Sequence, residues 1–263
     1  MITCLLKGGV GNQLYQIAAA YSLSLKHKVP FKLDLNLFGG AMQGYKPSKY
    51  KDILYSNIDL FTCEEEDVHL VYHEKGFKFK EIPFDSKLFK NFNFAIDGYW
   101  QNPQYFKDHL KDFRKLIKFD NNLTKKVKNK LKSIKNKHIV GVHLRKGDYL
   151  NNPQIFPIPQ VSYYKNAIKK FDKKNTVFLY CTDDKTTLND FKFDKNNIFI
   201  NGDEVTDLCV LSHCDSLILA NSSFSAMASY LVKDKEKVIC PPDWFGSGVQ
   251  DKYEIYDDSW ERL

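Results

Sequence analysis

No stretch of this chain approaches the ~18 consecutive apolar residues that a membrane span requires. The opening Met1-Ile2-Thr3-Cys4-Leu5-Leu6-Lys7 shows no secretory signal. A chain without a transmembrane span, working in the reducing cytoplasm, is therefore expected. Cysteine is sparse and scattered: Cys4, Cys63, Cys181, Cys209, Cys214 and Cys240 form no C-x-x-C pair, and several sit inside apolar runs. Buried free thiols are expected, not a disulfide frame or a structural zinc. His69 and His73 stand four apart, but no Glu lies between them as in H-E-x-x-H, so ordinary structural histidines and no metal site are expected. Two nucleotide fingerprints are also missing. Gly9-Val10-Gly11-Asn12-Gln13-Leu14 lacks the third glycine of G-x-G-x-x-G, and no G-x-x-x-x-G-K-[ST] occurs, which disfavours a dehydrogenase or a P-loop ATPase.

What is present suffices for a large core. The 263 residues are 43% hydrophobic and 14% aromatic, enough for one large or two small domains. The formal charge of +7 favours anionic partners, but much of it lies in Lys125, Lys126, Lys128, Lys130, Lys132, Lys135 and Lys137 along one expected helix. That pattern is a solvated helix face. A nucleic-acid surface would interleave aromatics with the basic residues, and Thr124 to Lys137 holds none, so no nucleic-acid partner is expected.

The hydrophobic rhythm gives an alternating β/α order. Ile2 to Leu6 reads as a buried strand entering the glycine turn Gly8 to Gly11, followed by a helix with Leu14, Ile17, Ala18, Tyr21 and Leu25 on one face, Asn12 as its N-cap, and a second strand from Phe31 to Leu35. Such a β-α-β opening is normally parallel and right-handed. Asn36 to Asn93 is irregular and reads as loops and short helices. A strand then follows from Phe94 to Trp100 and a helix from Pro103 carrying Tyr105, Phe106, Leu110, Phe113 and Leu116. The lysine helix ends near Lys137. From His138 the alternation is regular: strands at His138 to Leu144, Thr176 to Cys181, Asn197 to Ile200, Ser216 to Leu219 and Lys237 to Cys240. Helices at Val161 to Phe171, Lys185 to Phe191, Glu204 to His213 and Ser223 to Val232 separate them. The expected organisation is α/β, with a first Rossmann-like domain over residues 1–135 and a second over 136–263, whose final residues can pack back on the first.

Ligands of such sheets bind beyond the strand carboxyl ends, and polar clusters stand there. His143-Leu144-Arg145-Lys146-Gly147-Asp148-Tyr149 offers a planar guanidinium for phosphate oxygens. Thr182-Asp183-Asp184 offers carboxylate acceptors for a base edge or ribose. Asn221-Ser222-Ser223-Phe224-Ser225 opens a helix whose free N–H groups suit an anion, and Gly8 to Gln13 lies at the matching place in the first domain. Each has a purely local reading as well: Arg145 and Asp148 as an ion pair, Asp183 and Asp184 as caps of the next helix, the serines as N-caps. Convergence on one sheet edge points to a nucleotide diphosphate.

The ordered set Gly9-Val10-Gly11-Asn12-Gln13-Leu14-Tyr15-Gln16, Gly98-Tyr99-Trp100-Gln101, His143 to Tyr149, Cys181-Thr182-Asp183-Asp184, Asp207-Leu208 with Leu211-Ser212-His213-Cys214, and Asn221 to Ser225 resembles the α-1,2-fucosyltransferases of glycosyltransferase family 11. It spans nearly the whole chain. There are two departures from the family pattern: Lys146 replaces a second arginine, which keeps the charge and loses the fork, and Ala226 and Met227 follow the Ser-Phe-Ser run where tryptophan is common.

The resemblance implies a GT-B type fold, two Rossmann-like domains facing across a cleft, and inverting transfer of fucose from GDP-fucose to a galactose-containing glycan without a metal. In agreement, no Asp-x-Asp triplet for a metal occurs. Arg145 would then meet the charge developing on GDP, aided by Lys146 and by the helix start at Ser222 and Ser223. By the same resemblance His143, Asp183, Asp184 and Phe224 line the GDP pocket with Asn221, while Gly9, Gly11 and Asn12 approach the donor from the first domain. Asp148 is favoured as general base, with Asn12 able only to orient a hydroxyl. Transfer of a different nucleotide sugar, and a non-catalytic nucleotide- or glycan-binding module, stand as alternatives.

Overall fold

The computed structural model describes residues 1–34, 47–61, 70–89, 92–134, 136–172, 174–192, 195–249 and 253–263. The chain divides into two compact units, Met1–Asp120 with Asp251–Tyr256, and Asn121–Gln250 with Asp257–Leu263. The boundary thus precedes the lysine helix and gives it to the second unit. The end of the chain is divided too: Asp251–Tyr256 goes with the first unit, and the last residues stay with the second.

In the first unit, β1 (Ile2–Leu5) is buried along its whole length, as a central parallel strand covered on both faces must be. It leads into α1 (Val10–His27), then β2 (Phe31–Asp34), which pairs parallel to β1 with Ile2 opposite Phe31. Leu35, Cys63, His69 and Lys135 lie outside the described residues. The helix begins earlier than its sequence suggests: Gly9 is the N-cap, without a side-chain cap bond. Asn12 is already inside the first turn, so it caps nothing. Lys28 ends the helix in the left-handed conformation (φ 54°), and Lys26 and His27 suit the negative end of its dipole.

The stretch read as irregular contains two strands among its described residues, β3 (Leu60–Phe61) and β4 (Leu70–His73). With β5 (Phe94–Asp97) they complete a parallel five-stranded sheet, ordered β3-β2-β1-β5-β4. Beyond β5 the chain makes two 3-10 turns, Pro103–Tyr105 and Lys107–His109, before α2 (Leu110–Leu116). The continuous helix expected from Pro103 is interrupted because Phe106 turns inward, almost fully buried and edge-on to Tyr15.

The second unit opens with α3 (Asn121–Lys132), which buries Val127 and Leu131. It stops before Lys137: Ile134 N–H takes the Leu131 carbonyl and Ser133 Oγ takes that of Lys130. The sheet is built on β6 (His138–Leu144), in register with β7 (Thr176–Thr182) from His138 opposite Thr176 to Leu144 opposite Thr182. The remaining elements are α4 (Val161–Ile168), β8 (Asn197–Phe199), α5 (Glu204–Leu211), β9 (Ser216–Ile218), α6 (Ser223–Leu231), β10 (Lys237–Cys240) and β11 (Glu261–Arg262). The segment Lys185–Asp190 is 3-10 rather than α-helical, and β11 adds a short parallel edge that the sequence does not advertise. Sheet order is β11-β10-β9-β6-β7-β8, all parallel. Val140, Val142, Leu144, Tyr164, Phe178 and Tyr180 pack one face of it.

Strand order reverses between β1 and β5 in the first sheet and between β6 and β9 in the second. Those two reversals are where an open parallel sheet leaves a crevice at its carboxyl edge. The described cysteines, Cys4, Cys181, Cys209, Cys214 and Cys240, are all buried free thiols. Among the described residues no helix is long and apolar enough to cross a membrane.

Candidate active site

The second reversal gathers most of the residues singled out in the sequence. His143, next to last in β6, stands opposite Cys181 of β7, is 4% exposed, and packs its ring against Phe224 of α6 at 5.0 Å between centroids. Burial, with the Arg145 charge adding, pushes its pKa down to about 3, so the imidazole is neutral. Its Nδ1 is buried and has no hydrogen-bond partner. Arg145 follows, its guanidinium over the Tyr149 ring at 5.0 Å, paired with Asp148 and, at 3.0 Å, with Asp183. The local ion pair left open by the sequence is thus formed.

Asp183 is held twice, by Arg145 and by the Lys146 amide N–H at 3.0 Å. Desolvation raises its pKa in spite of these partners. A Cβ on Gly147 would overlap the Asp183 carboxylate, so a larger residue here would force that carboxylate to shift. Lys146 Nζ donates to Thr186 Oγ1 at 3.0 Å and lies 3.8 Å from Asp184. Asp184 caps the 3-10 turn by accepting from Thr186 N–H at 2.8 Å, and that bond leads the effects that lower its pKa.

The neighbouring strand supplies the helix start. Asn221 is buried, its amide donating to the carbonyls of Pro157 and Trp244 at 2.8 and 2.9 Å, while its Oδ1 has no hydrogen-bond partner. Tyr149 O–H donates to the Asn221 carbonyl at 2.8 Å, tying the chain after β6 to the chain after β9. Ser222 is the N-cap of α6 and accepts from Phe224 N–H; Ser223 is the first helical residue. The serine cap and the aspartate cap therefore both take their local roles. Sequence reasoning assigned no role to Asp207 in α5, which is 7% exposed with Oδ1 unpaired. Desolvation, with Asp203 and Glu204 adding repulsion, pushes its pKa up to about 7. The one available signal was a carboxylate directly before the apolar run Leu208 to Leu211.

At the first reversal the glycine turn is fixed by amides. Gly8 has φ +75°, which disfavours any side chain, and a Cβ there would come within 2.6 Å of Asn12 Nδ2. Fully buried Gln13 donates to the Gly8 carbonyl at 2.8 Å and accepts from Tyr55 O–H at 3.0 Å. Equally buried Gln16 spans the Lys7 backbone, accepting from its N–H and donating to its carbonyl. Asn12 Oδ1 accepts from Gln101 Nε2 at 2.7 Å, which joins the exit of β1 to the exit of β5. Gly9 and Gly11 lie on either side of the helix start. Thus Asn12, Gly9 and Gly11 come together in one unit and the other named residues in the second. Gln13 and Gln16 drew no role of their own from the sequence, because there a buried amide looks like a solvated one, and Lys7 and Asp97 drew none because the bond between them joins distant parts of the chain.

The model of glycosyl transferase family 11 matches residues 1–263; the chain belongs to this family and is a glycosyltransferase. It is 25% identical to an α-1,2-colitosyltransferase of Escherichia coli, over 100% of this chain and 99% of that protein. It is 23% identical to the O-antigen biosynthesis glycosyltransferase WbnK of Escherichia coli, over 100% of both. In fold it is similar to the fucosyltransferase NodZ from Bradyrhizobium, with a TM-score of 0.57 at 14% identity, covering 88% of this chain and 93% of that one. NodZ has also been crystallised with GDP. The fold is of the GT-B type that the resemblance implied.

Proposed function

We propose that this family 11 enzyme transfers fucose, with inversion, from GDP-fucose to the 2-hydroxyl of a galactose-containing glycan, needing neither a metal ion nor another cofactor. The observation that carries the reading is Arg145, a guanidinium at the carboxyl end of β6, beside the strand-order reversal and joined through Tyr149 to the start of α6. The names of the relatives support it: one forms an α-1,2 linkage and the structural neighbour is a fucosyltransferase.

Arg145 is held between two carboxylates, and a diphosphate presents the same oxygens with more charge. It would take the outer N–H groups from Asp148 and leave Asp183 to fix the guanidinium plane. Lys146 and the N-terminal end of α6 add positive potential on the same anion. The neutral His143, whose Nδ1 lacks a partner, would donate to a phosphate or ribose oxygen. Asp183, Asp184 and Asn221 supply acceptors for ribose and base, with Phe224 as an apolar wall.

As the acceptor oxygen bonds to the anomeric carbon, the bond to the β-phosphate oxygen breaks and its electron pair leaves with GDP. The acceptor proton passes to Asp148, 45% exposed and released from Arg145 by the diphosphate. Leaving-group stabilisation dominates, so Arg145→Ala is expected to lower turnover by ~100-fold or more. The test mixes GDP-fucose with galactosides, measures GDP release and determines the product linkage by NMR; a variant with near-normal turnover refutes the role of Arg145.

A second reading concerns the donor sugar alone, and the name of the colitosyltransferase relative favours it. The same diphosphate site would then carry colitose. Turnover with nucleotide-activated colitose against GDP-fucose separates the two.

A further inference from the structure

The carboxyl edge of the first sheet carries an ionic network for which donor binding has no use. β4 and β5 pair so that His73 stands opposite Asp97. The Asp97 carboxylate, 26% exposed, binds Lys7 Nζ through one oxygen at 2.7 Å and His73 Nδ1 through the other at 3.0 Å. Desolvation opposes its ionisation, but the bonds from Lys7 and His73 outweigh that and hold its pKa below the ordinary range. Lys7 also lies over the Tyr99 ring at 5.3 Å.

The chain beside this network is held in an unfavourable shape. Trp100 has φ +54°, a left-handed conformation rare for a bulky residue. It persists because the Glu74 carboxylate accepts from the N–H groups of both Tyr99 and Trp100, at 2.7 and 3.0 Å, and because Gln101 is bonded to Asn12. Strain kept in place by several surrounding bonds marks a functional segment. Its effect is to set Tyr99 against Lys7 and Gln101 against Asn12, next to the end of β5.

We infer that His73, Asp97, Lys7, Tyr99 and Gln101 form the subsite that binds the acceptor, a neutral galactoside; this rests on the galactoside reading above. The chemistry fits a sugar with vicinal hydroxyls. With Nδ1–H given to Asp97, His73 turns Nε2 outward as an acceptor, on a side chain 70% exposed. Lys7 has two further N–H donors beyond the one used by Asp97, Gln101 keeps its carbonyl oxygen, and Tyr99 gives an apolar face. The Lys7 and Asp97 charges offset each other, and Glu74 is spent on backbone N–H groups. With Glu74 counted, the cluster holds no excess positive charge to recognise an anionic glycan.

The test uses the full chain and methyl β-galactoside, titrated with and without GDP and followed by saturation-transfer NMR. Wild type is expected to bind, and His73→Gln to weaken binding at least ~10-fold, the scale for losing a well-placed hydrogen bond. Asp97→Asn should weaken it similarly. GDP affinity by calorimetry should stay within about 2-fold in both variants, and in turnover the acceptor KM should rise while the donor KM does not. Because His73 is exposed, His73→Gln is expected to fold even if Asp97→Asn does not. Galactoside affinity unchanged in His73→Gln overturns the subsite, as does no binding to wild type in either titration. GDP that fails to bind while the galactoside does would leave the subsite standing and refute the donor reading.

Discussion

The two strand-order reversals both open a parallel sheet at its carboxyl edge, and they have opposite chemistry. After β6 the chain is fixed by ions: Arg145 between Asp148 and Asp183, and Lys146 between Thr186 and Asp184. After β1 it is fixed by neutral amides, Gln13 on Gly8, Gln16 on Lys7 and Asn12 on Gln101, with one ionic network at the side. Partly exposed ion pairs are weak enough to be exchanged for a charged ligand. Buried amide bonds, by contrast, cost much to leave unmade. The second unit is thus built to trade partners with an anion, and the first to hold a fixed backbone.

Changes on the ionic side should strike activity hardest. Arg145→Lys keeps the charge and loses the fork, so turnover is expected to fall by ~10-fold or more, short of the loss in Arg145→Ala. Equal activity of the lysine variant and wild type would show that a point charge suffices. Gly147→Ala pushes the Asp183 carboxylate aside, and calorimetry should show GDP affinity down about 10-fold, on the scale of one charged hydrogen bond, with the fold intact.

On the amide side the effect should fall on stability instead. Gln13→Leu strands the Gly8 carbonyl and the Tyr55 hydroxyl, which should cost about 1 to 3 kcal/mol in denaturant titration. GDP affinity should not change. Loss of GDP binding without loss of stability would erase the distinction between the two reversals.

The smallest expected effect concerns Asp207. Its folded-state pKa of about 7 lies above the ordinary carboxylate value, so the native state binds more protons than the unfolded chain between the two. Stability therefore falls as pH rises through that window. Asp207→Asn should be more stable than wild type at pH 7, on the order of 1 kcal/mol, with the gain gone near pH 4. Melting curves across that range check it; a gain that persists at pH 4 assigns the effect elsewhere.

Legibility followed the same divide. The strand from His138 to Leu144 and the clusters beyond it could be read because a buried parallel strand is a continuous apolar run and its charged exit stands out. The strand Leu70–His73 could not, since its end residues are exposed and its apolar run, Leu70-Val71-Tyr72, is only three residues long. Asn12 was taken for a cap because capping residues are recognised by type, whereas Gly9 caps α1 through backbone shape alone. The pairing of His73 with Asp97 depends on strand register, which neither segment reveals by itself.

The most direct measurement is a comparison of GDP and GMP affinities in wild type and in Arg145→Ala, since only GDP carries the β-phosphate. Wild type is expected to prefer GDP by about 10-fold or more, the scale of a charge-assisted pair, and the variant to lose most of that preference. An undiminished preference for GDP in Arg145→Ala would contradict the assignment of the diphosphate to this guanidinium.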